Sequence, residues 1–235
     1  ANNEWQEGSE ARLAYEGSAD NAKRAGHTAV LWNGQMYIWG GRDKDEIELN
    51  TLDILNLTQW KELNAGGTPR YMHAGVAFED KLYFWGGTDG GDNFKTMDVY
   101  DTRSNDWSSG LEGGQARKGH SAVLEQGNIF FWGGTDTSDF LNTVDIYELS
   151  SASWITGFFG GRARSKHTAN LVGSKIYHWG GEDDSGLYFG EQGWLDDSFQ
   201  LPLRPERHLF RRPVAPPPFR RPVTLGELIN QLETI

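Results

Sequence analysis

Residues 164–181 read RSKHTANLVGSKIYHWGG, and the chain writes this stretch four times. The earlier copies are RAGHTAVLWNGQMYIWGG at 24–41, RYMHAGVAFEDKLYFWGG at 70–87 and RKGHSAVLEQGNIFFWGG at 117–134. Each copy opens on an arginine (Arg24, Arg70, Arg117, Arg164) and places a histidine three residues later (His27, His73, His120, His167). Each then runs through a short apolar segment, a turn and a second apolar segment, and ends in Trp-Gly-Gly. The first glycines, Gly40, Gly86, Gly133 and Gly180, are spaced 46, 47 and 47 residues apart. The second glycines are Gly41, Gly87, Gly134 and Gly181. A fixed period of this size is the mark of a repeat architecture.

Within one period the residues predict four strands. Asn33-Gly34 and Gln126-Gly127 between apolar runs read as tight hairpin turns. A third strand follows each polar loop, over 51–55, 96–100 and 143–147, and a fourth lies near Trp60, Trp107 and Trp154. Four strands in 47 residues leave ordinary strand lengths. Paired glycines at a strand end permit close backbone approach and positive φ. The tryptophans of the repeats, with Trp5 as part of an orphan outer strand, read as packing between sheets rather than as a stacking platform for bases.

The order His, apolar hairpin, Gly-Gly, Asp-x-Tyr (Asp98/Tyr100, Asp145/Tyr147), then Trp resembles the kelch repeat, one blade of a β-propeller. The Trp-Gly-Gly ending is most similar to kelch repeats of bacterial proteins. The resemblance spans about 24–194 and implies an all-β, kelch-type β-propeller of about four recognisable four-stranded blades. It is a partial or unusually small propeller, since kelch proteins usually have six or seven blades. Repeat one departs with Leu55 in place of Tyr. Repeat four places Gln192, Trp194 and Leu201 where Asp, Tyr and Trp are expected.

Composition narrows the function classes. The net charge of −11 argues against a nucleic-acid surface. No apolar run approaches the roughly 18 residues of a membrane span. The absence of Cys removes disulfides, thiolate metal sites and cysteine nucleophiles. Ala1 is not preceded by a signal peptide, which leaves a processed or truncated start open. The compartment is not determined by the residues; a secreted or cell-surface bacterial setting is the expectation carried by the bacterial-type repeats.

Residues 1–200 form the expected propeller, with repeats near 24–63, 69–110, 116–157 and 163–200. Residues 201–235 differ in composition. Seven of the eight prolines and six arginines lie there, giving a tail of +3 against −14 for the rest. It reads as a Pro/Arg-rich linker of polyproline character, followed by a short C-terminal amphipathic helix over Leu225, Leu228, Ile229, Leu232 and Ile235. The segment RRPVTLGELINQLETI is weakly similar to part of bacterial segregation and condensation protein A, which would make the chain a junction of two unrelated pieces.

The long connections of each repeat fall on one face, the default place for a binding site on a rigid scaffold. Two recurrent groups belong to it: Arg24, Arg70, Arg117 and Arg164, and the Gly-Gly-x-Asp residues Asp43, Asp89, Asp136 and Asp183. They read either as a ring suited to carboxylate ligands or as pairs that fix blade geometry. Their presence in every copy favours the second. The repeated histidines read as structural rather than metal-ligating, and His178 is the odd one of the scaffold. Asp89-Gly-Gly-Asp92 and Asp136-Thr-Ser-Asp139 could hold Ca²⁺ but lack an EF-hand's ligand count. No catalytic motif, cofactor or metal site is expected.

The leading expectation is a non-catalytic module binding a protein, peptide or glycan. The alternatives are a carbohydrate-active kelch enzyme such as a sialic-acid mutarotase, and a truncated or chimeric propeller without independent function. Oligomerisation is expected if four blades do not close alone.

Overall fold

The computed structural model describes residues 23–56, 59–173, 175–186 and 199–200. The Trp5 segment, the tail at 201–235, its helix and its resemblance to segregation and condensation protein A lie outside the described residues. Fifteen described strands form four antiparallel sheets, each an up-and-down meander.

The first blade comprises β1 (Thr28–Trp32), β2 (Gln35–Trp39), β3 (Leu52–Asn56) and β4 (Gln59–Glu62). The second comprises β5 (Ala74–Phe78), β6 (Lys81–Trp85), β7 (Thr96–Asp101) and β8 (Asp106–Glu112). The third comprises β9 (Ser121–Glu125), β10 (Asn128–Trp132), β11 (Thr143–Glu148) and β12 (Ser153–Phe159). In the fourth, β13 (Thr168–Val172) and β14 (Lys175–Trp179) are joined by β15 (Phe199–Gln200), so three strands rather than four are described.

The β1–β2 and β9–β10 turns use two residues with positive φ, Asn33/Gly34 (48° and 74°) and Gln126/Gly127 (48° and 76°). That twist matches the flanking strands. The fourth blade corrects the sequence alignment. Phe199 pairs with Ile176 as Tyr147 pairs with Ile129. The aromatic position therefore falls five residues beyond Trp194, and Asp197-Ser198-Phe199 supplies the Asp-x-aromatic spacing. Phe199 follows Trp179 by five residues more than Tyr147 follows Trp132, which shifts the pattern off the 47-residue count.

The blades stand side by side through their first strands, β1 next to β5, β5 next to β9 and β9 next to β13. No comparable contact returns β13 to β1 among the described residues. Strand alternation sends one set of side chains to the preceding blade and the other to the following one. Val30, Tyr37 and Trp39 of the first blade thus meet Leu82 and Phe84 of the second. Trp85 and Val99 meet Ile129 and Phe131, and Val123 and Trp132 meet Ile176. The core is three copies of one junction. Trp107 and Trp154 reach back across two of these junctions to Trp39 and Trp85, with ring centroids 5.3 and 5.2 Å apart. Trp60, on the first blade's outer strand, is half-buried.

Candidate functional site

The four Arg-x-x-His segments lead into the innermost strands. Here the residue before each histidine links the blades through its backbone. The Met72 N–H donates to the Gly26 carbonyl at 2.7 Å, Gly119 N–H to Met72 at 2.8 Å and Lys166 N–H to Gly119 at 2.7 Å. This chain of hydrogen bonds draws the variable residues of all four blades around one opening.

The opening is a cavity of about 430 Å³ lined by Ala25, Gly26, His27, Arg42, Tyr71, Met72, His73, Gly119, His120, Lys166 and His167. Most of these occupy the two positions between Arg and His, which read Ala-Gly, Tyr-Met, Lys-Gly and Ser-Lys in the four copies. Sequence reasoning passed over them because attention went to what repeats. Their variation inside an otherwise fixed motif was the available signal. The Arg42 guanidinium lies 4.1 Å from the centre of the Tyr71 ring, an attraction between the cation and the ring's negative face. Lys166 Nζ is 2.8 Å from Glu182 Oε1.

The repeated arginines turn away from this opening into their own blades. Arg70 is 0% exposed. It donates to the Gly86 carbonyl (2.8 Å), the Thr96 carbonyl (2.9 Å), the Thr68 carbonyl (3.1 Å) and Asp98 Oδ2 (2.7 Å). Arg117 repeats this with Gly133, Thr143, Gln115 and Asp145, and Arg24 with Gly40, Thr51 and Asp53. Arg164 donates to the Arg162 and Gly180 carbonyls. Burial lowers the Arg70 and Arg117 pKa values, and the partner aspartates oppose that shift. A buried guanidinium survives because its donors are matched one by one.

The Gly-Gly-x-Asp carboxylates close their own loops. Asp43 accepts from the Asp45 and Ile47 N–H groups, Asp89 from Gly91 and Asp92, and Asp136 from Ser138 and Asp139. Asp183 accepts from Ser185 and pairs with Arg162. Such bonds favour the ionised form. The Asp89 pKa is lowered first by the Asp92 N–H. Burial raises that of Asp136, but the Ser138 and Asp139 N–H groups, the Gln115 side chain and Arg117 together outweigh it and lower the pKa. No group of three or more His, Cys, Asp or Glu side chains that could hold a metal ion occurs among the described residues.

The histidines form the inner wall. His73, His120 and His167 stand edge-on to Trp39, Trp85 and Trp132 of the preceding blade, at 4.7, 5.0 and 4.6 Å between centroids. Burial, reinforced by neighbouring cations, drives His73 and His120 well below the usual histidine value and His167 to about 3. The Trp39 backbone opposes the shift at His73 without reaching hydrogen-bond geometry. His178 stands where the other blades have Ile38, Phe84 and Phe131, its ring centroid lies 3.7 Å from that of Trp132, and its pKa is lowered to about 4, again chiefly by burial. His27, at the start of the arc, is exposed. The wall is therefore neutral at neutral pH, and the cavity's positive charge comes from Arg42 and Lys166.

The glycine pairs make this closeness tolerable. A Cβ on Gly86 would stand 2.6 Å from His120 Cε1, and one on Gly40 2.7 Å from His73 Cε1.

No curated protein matches the chain. A family model, the KLHDC2/KLHL20/DRC7 Kelch-repeats domain, matches residues 3–115. That stretch holds the first two described blades and the entry to the third, and the same junction then recurs twice more. The chain carries a partial kelch-repeat β-propeller domain.

Proposed function

We propose that this domain is a non-catalytic binding module that receives a segment of a protein partner in the axial opening. The observation that carries this reading is the cavity of about 430 Å³, lined from all four blades by the repeated histidines and by positions at which the repeats differ. The scaffold residues are spent on holding the blades. Tyr71, Met72, Arg42 and Lys166 offer an aromatic ring, a thioether and two cations to a ligand, with Arg42 over the Tyr71 ring and Lys166 paired with Glu182. Cavities of this size that combine apolar walls with a few polar groups suit specific recognition. His73 and His120 also line the cavity, and their buried ring nitrogens find no hydrogen-bond partner among the described residues.

The test is selection of peptides from a displayed random library, followed by calorimetry with the best binder. Tyr71→Ala and Lys166→Glu should each weaken binding at least about tenfold, the loss of ~1.4 kcal/mol, with unfolding temperatures unchanged. Lys81→Glu, at the exposed far end of the second blade, should have no effect. Binding that survives both cavity substitutions, or a library that yields no binder, would sink the reading.

A further inference from the structure

Asn33-Gly34 is the one Asn-Gly pair in the sequence, and it makes up the whole β1–β2 turn. Both residues have positive φ, 48° and 74°, and both are exposed. That exposure belongs to the hairpin tip itself. Gln126 holds the same position in the third blade, with a neighbouring blade on each side, and is exposed as well. The groups that would react with one another at this tip are unengaged. The Asn33 side-chain amide and the Gly34 N–H make no hydrogen bond among the described residues. Nothing beyond the turn comes within 4 Å of where a Cβ on Gly34 would stand.

Two comparable pairs among the described residues are held back. At Asp89-Gly90 the carboxylate accepts from the Gly91 and Asp92 N–H groups, and the Gly90 N–H donates to Thr88 Oγ1 at 3.1 Å. Both would-be reactants there are tied into the loop. At Gln126-Gly127 the turn repeats the geometry of Asn33-Gly34, with φ of 48° and 76°. Its side chain is one methylene longer, so attack would have to close a six-membered ring, which forms far more slowly than a five-membered one. The Gln126 amide nitrogen also donates to Glu125 Oε1 at 3.4 Å.

We infer that Asn33 is a site of self-modification, at which the β1–β2 turn deamidates to a mixture of aspartate and isoaspartate. The Gly34 nitrogen gives its proton to solvent base and forms a bond to Asn33 Cγ. The bond from Cγ to the side-chain nitrogen breaks, and that nitrogen takes up a proton and leaves as ammonia. Water then opens the five-membered succinimide at either carbonyl. Opening at Cγ yields aspartate; opening at the main-chain carbonyl leaves Gly34 attached through Cγ, which is isoaspartate. No oxidant or reductant takes part, and water is the sole co-reactant. Either product adds a negative charge to the tip. The isoaspartate link also lengthens the main chain of a two-residue turn whose twist has to match its strands. The closing pair Trp32 and Gln35 then loses its register. Because β1 stands against β5, the first junction between blades loosens with it.

The experiment is incubation of the full chain at mildly alkaline pH and physiological temperature, followed by peptide mapping with mass spectrometry. Isoaspartate is detected by enzymatic methyl transfer, and a synthetic peptide LWNGQM is aged in parallel. The fragment carrying Asn33 should exchange its amide for a carboxyl group and acquire isoaspartate. The rate should rise with pH, because the attacking nitrogen has to lose its proton. Fragments carrying Asp89-Gly90 and Gln126-Gly127 should stay unchanged. Asn33→Gln, checked by circular dichroism for the wild-type β spectrum, should abolish the reaction at the tip. The converted chain should unfold at a lower urea concentration than the Asn33→Gln chain before and after the same incubation. An Asn33 fragment that stays intact in the folded chain while the peptide reacts would show that the turn holds the two groups apart, and would overturn the inference. So would isoaspartate forming at Asp89 as fast as at Asn33. Conversion without a change in urea unfolding would overturn the loosening of the junction.

Discussion

Trp85 meets the His120 imidazole edge-on across the junction between the second and third blades, with ring centroids 5.0 Å apart. The contact holds a titratable ring inside the core in its neutral form, and it recurs with His73 and His167. A repeat that places an imidazole at every junction makes the whole arc respond to acid.

The folded-state pKa values of His73, His120, His167 and His178 lie below the unfolded value of 6.5. Below that pH the unfolded chain binds more protons than the folded one, so stability falls as pH drops. Each such histidine contributes up to about 1.4 kcal/mol per pH unit. The loss should begin near pH 6.5 and continue to about 4 for His178 and to about 3 for His167, with Asp89, Asp101 and Asp136 adding to it only at the acid end. Those carboxylates have lowered pKa values, so their stabilisation fades only below their unfolded 3.8. Urea midpoints measured at half-unit pH intervals should decline steeply in the upper window; a flat profile there would contradict neutral buried imidazoles.

Gly86 and Gly127 both have positive φ, 69° and 76°, but only Gly86 faces a neighbour. Alanine at Gly127 meets nothing within 4 Å and should cost only the backbone strain of about 1–2 kcal/mol. Alanine at Gly86 carries the same strain and collides with His120 and with the Arg117 carbonyl. It should therefore cost clearly more, and the excess reports how rigidly the junction is packed. Equal losses in chemical denaturation would show that His120 yields freely.

The Arg70–Asp98 pair is fully buried, whereas Arg103–Asp80 joins side chains that are largely exposed. Asp98→Ala strands a guanidinium and removes the acceptor of the Thr68 N–H, and should cost about 3–5 kcal/mol. Asp80→Ala should cost less than about 1 kcal/mol. The same ranking should hold for Asp145 over Asp80. If Asp98→Ala unfolds at the wild-type denaturant concentration, the pair is not what fastens β7 to the entry of β5.

The period, the hairpins and the junction residues were legible in the sequence because a blade is built from local contacts. Turn chemistry, strand alternation and the glycine pairs all act within some twenty residues. Trp39, Trp85 and Trp132 could be read as inter-sheet packing for the same reason. The third strand of the fourth blade was not legible, since five extra residues before Phe199 break a count but not a hydrogen-bond register.

The sequence by itself determined a repeated β-meander, a kelch-type blade and the identity of its scaffold residues. Only the tertiary structure decided where the repeated arginines point. A guanidinium three residues before a histidine is compatible with an open channel and with a buried pair, and its repetition in every copy only favours the second. The choice depends on Asp53, Asp98 and Asp145, which lie 28 or 29 residues away and come into reach only when the third strand folds back. The tertiary structure likewise exposed Trp179 while burying its three counterparts. Burial is a property of the neighbouring blade, and no residue carries its neighbour in its own name.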